Sequence, residues 1–165
     1  MSHRFKCPTC NKWHEGFPDV SYDRPYYVTE VPEADFASRI FLTSDLCVLD
    51  NEHFFIRCVL PFRIRRTEDD LYWGVWSTLS EVNFVRYQAA YDEDTSDWEP
   101  MFGYLANRLP GYPDTLALKV SVQTQGEGDR PVLTLEPTDH PLAIEQRDGM
   151  SLEHVLEIVG PFMEH

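Results

Sequence analysis

The chain has 165 residues, of which 42% are hydrophobic and 13% aromatic, and its 28 acidic and 14 basic residues give a formal net charge of −14 at pH 7. This length and apolar content predict a single folded domain over residues 1–165 and argue against a wholly disordered chain. The acidic excess argues against binding to nucleic acid or to an anionic membrane, because both are recognised largely through their phosphates. No apolar run approaches the roughly 20 residues of a membrane-spanning helix. The first residues lack the apolar region of a signal peptide, so we expect a cytoplasmic protein.

The first predicted element is a metal knuckle within residues 1–16. Cys7 and Cys10 form a Cys-x-x-Cys motif, and His14 follows four residues later. Two thiolates and an imidazole so close together are a typical ligand set for zinc, and Pro8 suits the tight turn that a knuckle requires. A thioredoxin-like redox pair fits less well, because that motif begins a helix and the residues after Cys10 are not amphipathic. Two cysteines without a role in metal binding are a further alternative.

A tetrahedral zinc site needs a fourth ligand, and the chain offers two more cysteines. Cys47 lies in a strand-like run, and the end of a strand could bring its thiolate to the knuckle. Cys58 lies deep in an apolar stretch, where a cysteine is typically a core residue. The sequence therefore predicts a closed, structural zinc site on Cys7, Cys10, His14 and Cys47. A core position for Cys47 is an equally open alternative.

Strands dominate the next part of the chain. A short helix is predicted from Pro32, because proline is favoured in a first turn and acidic residues follow it. Strands are predicted at 39–43, 46–50, 53–60 and 71–79. The turn Asp50–Asn51–Glu52 should join the second and third of these in a hairpin. Bulky residues on both faces of the last strand, among them Trp73 and Trp76, predict that it is central and covered on both sides.

Helices and strands alternate in the second half. Ser80 predicts the N-cap of a helix that buries Phe84, Tyr87 and Tyr91, and an acidic loop at 92–99 follows it. Further elements are a strand or short helix at 101–109, a rigid turn at 109–114, strands at 116–123 and 132–136, a helix at 140–147 and a last helix capped by Ser151. Strands joined by tight turns, with helices inserted and appended, predict an α+β fold: an antiparallel sheet of about five to seven strands with helices packed on it. No glycine-rich nucleotide-binding motif is present.

Six short sequence segments, or strings, occur in an order along the chain that resembles a known family. They are Cys7–Cys10 with His14, Ser44–Asp50, His53–Arg57, Trp73–Trp76, Leu109–Thr115 and Glu136–Gln146. Over essentially the whole chain they resemble the bacterial family called domain of unknown function 2199. The resemblance implies an N-terminal Cys-x-x-Cys with a nearby histidine and a cysteine in the second string, which agrees with the zinc prediction. Asn11 and Cys58 stand where the family usually has glycine.

The densest polar cluster outside the knuckle is Asp139, His140, Glu145, Gln146 and Arg147, of which Asp139, His140 and Glu145 form the candidate site. His140 and Asp139 are residue types that act as a general base and its orienting acid. Helix capping explains the same residues. Thr138 or Asp139 would accept a hydrogen bond from a backbone N–H of the first helical turn, and Pro141 would occupy a first-turn position that needs no backbone donor. Capping is favoured because no nucleophile motif accompanies the cluster.

Two functions of different classes follow. The favoured one is a non-catalytic protein-binding module with a structural zinc knuckle, immunity-like or antitoxin-like, that binds a basic partner. Residues 41–165 support it, because they hold 22 acidic and nine basic residues. The alternative is a small hydrolase-like or ligand-binding domain centred on His140. A pocket converging on His140 would favour the second function, and an exposed acidic face would favour the first.

Overall fold

A computed structural model describes residues 4–6, 13–15 and 20–162. Strands β1 (Arg4–Lys6) and β2 (Trp13–Glu15) pair antiparallel, with Lys6 opposite Trp13. The connecting residues 7–12 contain both cysteines of the predicted knuckle and lie outside the described residues.

The other strands of the described residues form one sheet of eight strands, and five α-helices accompany it. The strands are β3 (Val20–Ser21), β4 (Ile40–Leu42), β5 (Leu46–Leu49), β6 (His53–Arg63), β7 (Asp70–Leu79), β8 (Met101–Tyr104), β9 (Lys119–Gln123) and β10 (Val132–Leu135). The helices are α1 (Tyr26–Thr29), α2 (Phe36–Arg39), α3 (Glu81–Ala89), α4 (Pro141–Asp148) and α5 (Leu152–Val159). Within the described residues, no helix is both long enough and apolar enough to cross a bilayer.

The predicted α+β class is confirmed, but the prediction of a purely antiparallel sheet is wrong. The strand order is β3-β7-β6-β10-β9-β8, with β5 also paired to β6 and β4 to β5. Two of these pairs are parallel: Val20 of β3 lies opposite Trp73 of β7, and Val132 of β10 lies opposite Val59 of β6. Strand β10 reaches β6 through a long connection that contains α3, β8 and β9. A tight turn would force neighbouring strands to be antiparallel, whereas a long connection also allows the parallel pairing seen here.

The sheet curls back on itself. Beyond the end of β8, Leu105 forms an antiparallel bridge with Ser77 of β7. The backbone N–H of Ala106 donates to the Trp76 carbonyl at 2.8 Å. Strands β7, β6, β10, β9 and β8 therefore form a nearly closed circuit, which the alternation of side chains along single strands does not reveal.

Two hydrophobic clusters lie on the two faces of the long central strands β6 and β7. The larger cluster joins side chains of β6, β7, β9 and β10 to those of α3, α4 and α5. The second cluster lies under α1 and beside β4 and β5, and consists of Val28, Ile40, Cys47, Leu49, Phe55, Trp76 and Ala106. Trp73 lies in the first cluster and Trp76 in the second, both fully buried, so the predicted central position of β7 is confirmed.

Several helices and strands begin or end at residues whose local sequence predicts that boundary. The Ser80 hydroxyl accepts a hydrogen bond from the N–H of Asn83, and the Ser151 hydroxyl accepts one from His154, both at 3.2 Å. Both predicted N-caps are therefore confirmed. Asp50 and Asn51 have φ values of 56° and 54°, the left-handed geometry that joins β5 and β6 in the predicted hairpin.

Candidate functional site

The predicted zinc ligands fall in two places. His14 belongs to β2, whereas Cys7 and Cys10 lie outside the described residues. Cys47, on β5 opposite Phe55, is completely buried in the second cluster. Burial raises the pKa of the Cys47 thiol to about 12, against a smaller lowering by Arg24. Between them, the described residues offer no group of three or more histidine, cysteine or acidic side chains arranged for a metal ion.

Cys58 occupies the core position predicted for it. It is fully buried in the larger cluster, and burial strongly raises the pKa of its thiol. Its Sγ lies 3.5 Å from the Ile56 carbonyl oxygen. A thiol in this setting is an inert packing group.

His140 is the N-cap of α4, so the prediction that Thr138 or Asp139 provides the cap is wrong. The Leu142 N–H donates to His140 Nδ1 at 3.1 Å, and the other ring nitrogen, Nε2, lies 3.1 Å from the Asp114 carbonyl oxygen. These partners assign the proton to Nε2. The Thr138 hydroxyl instead accepts from the His140 N–H at 3.2 Å. Both ring nitrogens of His140 are therefore occupied by backbone partners.

The structure does not unite the three residues of the predicted polar site. Glu145 pairs with His154, whose Nδ1 lies 2.6 Å from the carboxylate, and Asp139 is exposed to solvent. Tyr112 packs against the His154 ring, with centroids 5.5 Å apart. Burial raises the pKa of Tyr112, and the Glu145 carboxylate adds to that effect. Glu145 thus belongs to a partly buried cluster with His154 and Tyr112.

A second polar cluster is centred on Asp45. Its carboxylate accepts hydrogen bonds from Arg130 Nε and from the Tyr91 hydroxyl, each at 3.0 Å. The backbone N–H of Arg57 donates to the Asp45 carbonyl at 2.9 Å. These contacts tie β5, β6, the end of α3 and the β9–β10 hairpin together, so the cluster acts in stability.

One face of α3 exposes apolar side chains beside a group of carboxylates. Val82 and Val85 are 76% and 55% exposed, and Ala89, one turn further along, is also exposed. We call this stripe, together with the exposed acidic side chains of residues 81–99, the α3 face. Those acidic residues are Glu81, Asp92, Glu93, Asp94, Asp97 and Glu99, all exposed. No ion pair joins them to any residue that the structure describes.

The acidic loop at 92–99 is held against α3 and the β9–β10 hairpin. The Arg86 guanidinium lies 3.8 Å from the ring centroid of Trp98, which places the loop beside the helix. The Glu93 carbonyl accepts from the Glu127 N–H at 2.9 Å, and the Thr95 carbonyl accepts from the Thr124 hydroxyl at 2.8 Å. The carboxylates are therefore presented by an anchored segment rather than by a free loop.

The α3 face was not singled out from the sequence. The sequence does contain a pattern that indicates it, because Val82, Val85 and Ala89 follow the i, i+3, i+7 spacing of a helical stripe. Phe84 and Tyr87, the larger apolar side chains, mark the buried side of the same helix. Small apolar residues on a helix are ambiguous until the buried side is known.

Comparison with family models gives a match over most of the chain. Residues 6–150 match the model of a family described as an uncharacterized protein conserved in bacteria, DUF2199. A search of curated proteins and a search of solved structures each gave no match. The matched segment includes the whole eight-stranded sheet and α1 to α4. The chain therefore belongs to the bacterial DUF2199 family.

Proposed function

We propose that this protein is a non-catalytic binding module that uses the α3 face to bind a basic protein surface. The observation that carries the proposal is the exposed stripe of Val82 and Val85 in a segment whose carboxylates form no ion pair with any described residue. Residues 80–99 contain six acidic residues and one basic residue, so a cationic surface is the complementary partner.

The composition of the α3 face resembles that of a protein interface. Interfaces have an apolar centre and a polar rim, and the two valines and the exposed carboxylates of the same segment could supply these two parts. Charge complementarity would accelerate association and reject acidic proteins. A small acidic protein that covers a basic partner in this way would act in an immunity-like or antitoxin-like role in the cytoplasm.

The setting of His140 supports a non-catalytic role over the hydrolase-like alternative. A general base needs a ring nitrogen that can reach a substrate proton, whereas both nitrogens of His140 bind backbone groups. Neither Asp139 nor Glu145 forms a hydrogen bond with the His140 ring within the described part of the chain.

The test compares two charge-reversed proteins as baits in a bacterial lysate. The Glu93→Lys/Asp97→Lys variant alters the α3 face, and Glu153→Lys/Glu157→Lys makes the same charge change on exposed positions of α5. We expect a basic protein to be retained by the wild type and by the α5 control and lost from the α3-face variant. Raising the salt from about 0.1 M to about 1 M should release it, because the Debye length falls to roughly 3 Å. Equal retention by all three baits, an acidic partner, or tight nucleic-acid binding at physiological salt would contradict the proposal.

We propose in addition that the N-terminal segment holds a structural zinc ion on Cys7, Cys10, His14 and Cys47. The β1–β2 hairpin supports this, because Lys6 and Trp13 pair at the two ends of the connection that contains both cysteines. Thiolate and imidazole ligands of this kind suit zinc in a closed tetrahedral site. When zinc is bound, a thiol is deprotonated, which would offset the effect of burial on Cys47.

Zinc content and chelator resistance test this site. Protein purified without chelator should contain about one zinc per chain, and Cys10→Ser should lose it. Cys47→Ala should release zinc to a chelator faster than Cys58→Ala, the matched control at a buried thiol of the other cluster. Equal release from both alanine variants would make Cys47 a core residue only. A zinc-free protein whose stability ignores chelators would contradict the whole site.

A further inference from the structure

An open pocket of about 420 Å³ lies where β5 turns into β6. Its floor continues the face of the second cluster, because Leu49 lies opposite His53 and Phe55 lies opposite Thr78. Directly opposed residues place their side chains on the same face of a sheet. The pocket is therefore the uncovered end of a packed layer, with a volume in the range of small-molecule sites.

Aromatic side chains form much of the pocket wall. Tyr27 of α1 stacks on Phe55, with ring centroids 6.0 Å apart. Tyr104 of β8 is 39% exposed, and its N–H donates to the Thr78 hydroxyl oxygen at 2.9 Å. Phe54 also belongs to the lining, while its ring packs against Phe84 with ring centroids 5.1 Å apart. Tyrosine and phenylalanine rings present negative faces that attract cations.

Among the described residues that line the pocket, Glu52 carries the one permanent charge, and His53 is the one basic side chain. Glu52 is the acidic residue of the lining, and neither lysine nor arginine is among the lining residues. Its carboxylate is 77% exposed and lies 3.9 Å from His53 Nε2, so it can turn toward a ligand at the mouth. An anionic ligand would find neither lysine nor arginine among the described lining residues, whereas a cation would find both a carboxylate and aromatic faces.

We infer that this pocket binds a small organic cation, a protonated amine or quaternary ammonium group carried on an apolar body. The apolar body would cover Leu49 and Phe55, and the cationic group would lie between the tyrosine rings and Glu52. The net charge of −14 raises the local concentration of cations around the whole protein. None of the lining residues belongs to the α3 face, so this site is independent of the proposed protein-binding surface.

Titration with three probes of similar size tests the inference. Benzyltrimethylammonium is the cation, benzyl alcohol the neutral probe and phenylacetate the anion, and binding is followed by NMR chemical shifts of the full-length protein. The cation should shift Leu49, Thr78 and Leu79 and bind about threefold or more tightly than benzyl alcohol, a difference typical of cation–π contact. Phenylacetate should bind most weakly.

Matched variants separate the cation site from general apolar binding. Glu52→Gln and Tyr104→Leu should each weaken cation binding about twofold or more. Glu157→Gln and Tyr72→Leu, at exposed positions outside the pocket, should leave it unchanged. Glu52 is so exposed that its variant should fold even if Tyr104→Leu does not. Three results would overturn the inference: no shifts at the pocket residues up to about 20 mM cation, a neutral or anionic probe that binds as tightly, or unchanged binding by Glu52→Gln.

Discussion

At the scale of single residues, Asp45 shows how burial and hydrogen bonding act on one carboxylate in opposite directions. Burial alone would raise the pKa of Asp45, because a charged group is less stable away from water. Hydrogen bonds from Arg130, Tyr91 and Ser44 favour the charged form and outweigh burial, so the pKa lies below its ordinary value. The Asp45 side chain is only 18% exposed, so its partners cannot be replaced freely by water.

Asp45→Asn should lower the free energy of unfolding by about 2 kcal/mol at pH 7, because hydrogen bonds to a partly buried charge are lost. A carboxyl with a lowered folded-state pKa stabilises the protein above its unfolded pKa of about 3.9, and that contribution disappears as the pH falls through the folded-state value. The difference between wild type and variant should thus be constant above about pH 5 and shrink below about pH 4. Urea unfolding at several pH values measures it.

Asp50→Asn is the matched control. Asp50 pairs with Arg39 at 2.8 Å, but the two side chains are 36% and 40% exposed. Exposed ion pairs contribute little, so this variant should lose no more than about 0.5 kcal/mol. Asparagine also tolerates the positive φ at this position. If Asp50→Asn lowered the free energy of unfolding as much as Asp45→Asn, the difference in solvent exposure would not explain the contribution of the two ion pairs.

At the scale of elements, His140 fastens the start of α4 to the turn at 109–115. Its Nδ1 caps the helix, and its Nε2 donates to the Asp114 carbonyl. His140→Ala removes both bonds and should cost about 1–2 kcal/mol. His140→Asn should recover part of this loss, since asparagine is a good N-cap that lacks the reach to Asp114. Asp139→Ala, at the exposed neighbour, should change stability by less than about 0.5 kcal/mol in thermal or urea unfolding. Equal losses in the two alanine variants would contradict the capping role of His140.

The elements that could be predicted are those with a local cause. Ser80 and Ser151 stand directly before amphipathic segments, so the sequence alone locates the starts of α3 and α5. The cap of α4 could not be located in this way, because histidine is not a common N-cap and its second partner lies 26 residues away. Asp50 and Asn51 predicted the β5–β6 hairpin because both residues tolerate left-handed geometry.

At the scale of the whole molecule, strand direction and pocket formation depend on contacts that no local pattern contains. The parallel pairing of β10 with β6 depends on the path of the chain between β7 and β10, which runs through α3, β8 and β9. Tyr27, Glu52, Thr78 and Tyr104 come from four separate segments, so the pocket they line has no sequence motif. The resemblance to the DUF2199 family was predicted correctly, because ordered strings along the chain carry it.

Closure of the sheet depends on Gly103 of β8, which lies against β7. A Cβ atom at this position would overlap the Ser77 hydroxyl oxygen and the carbonyl oxygen of Thr78, a backbone atom that cannot move aside alone. Gly103→Ala should therefore push β8 away from β7 and cost about 2–3 kcal/mol. Hydrogen exchange should report the opening directly, because the Ala106 N–H would lose protection as its bond to Trp76 lengthens.

Gly111→Ala is the control that separates the steric clash at Gly103 from the general effect of replacing a glycine by alanine. Gly111 has a φ of 84° and no heavy atom within 4 Å of an added Cβ, so alanine there meets backbone strain without a clash. It should cost about 1 kcal/mol and leave protection of the Ala106 N–H relative to global unfolding unchanged. If both variants lose the same stability and Ala106 stays protected in each, the β7–β8 contact does not hold the sheet closed.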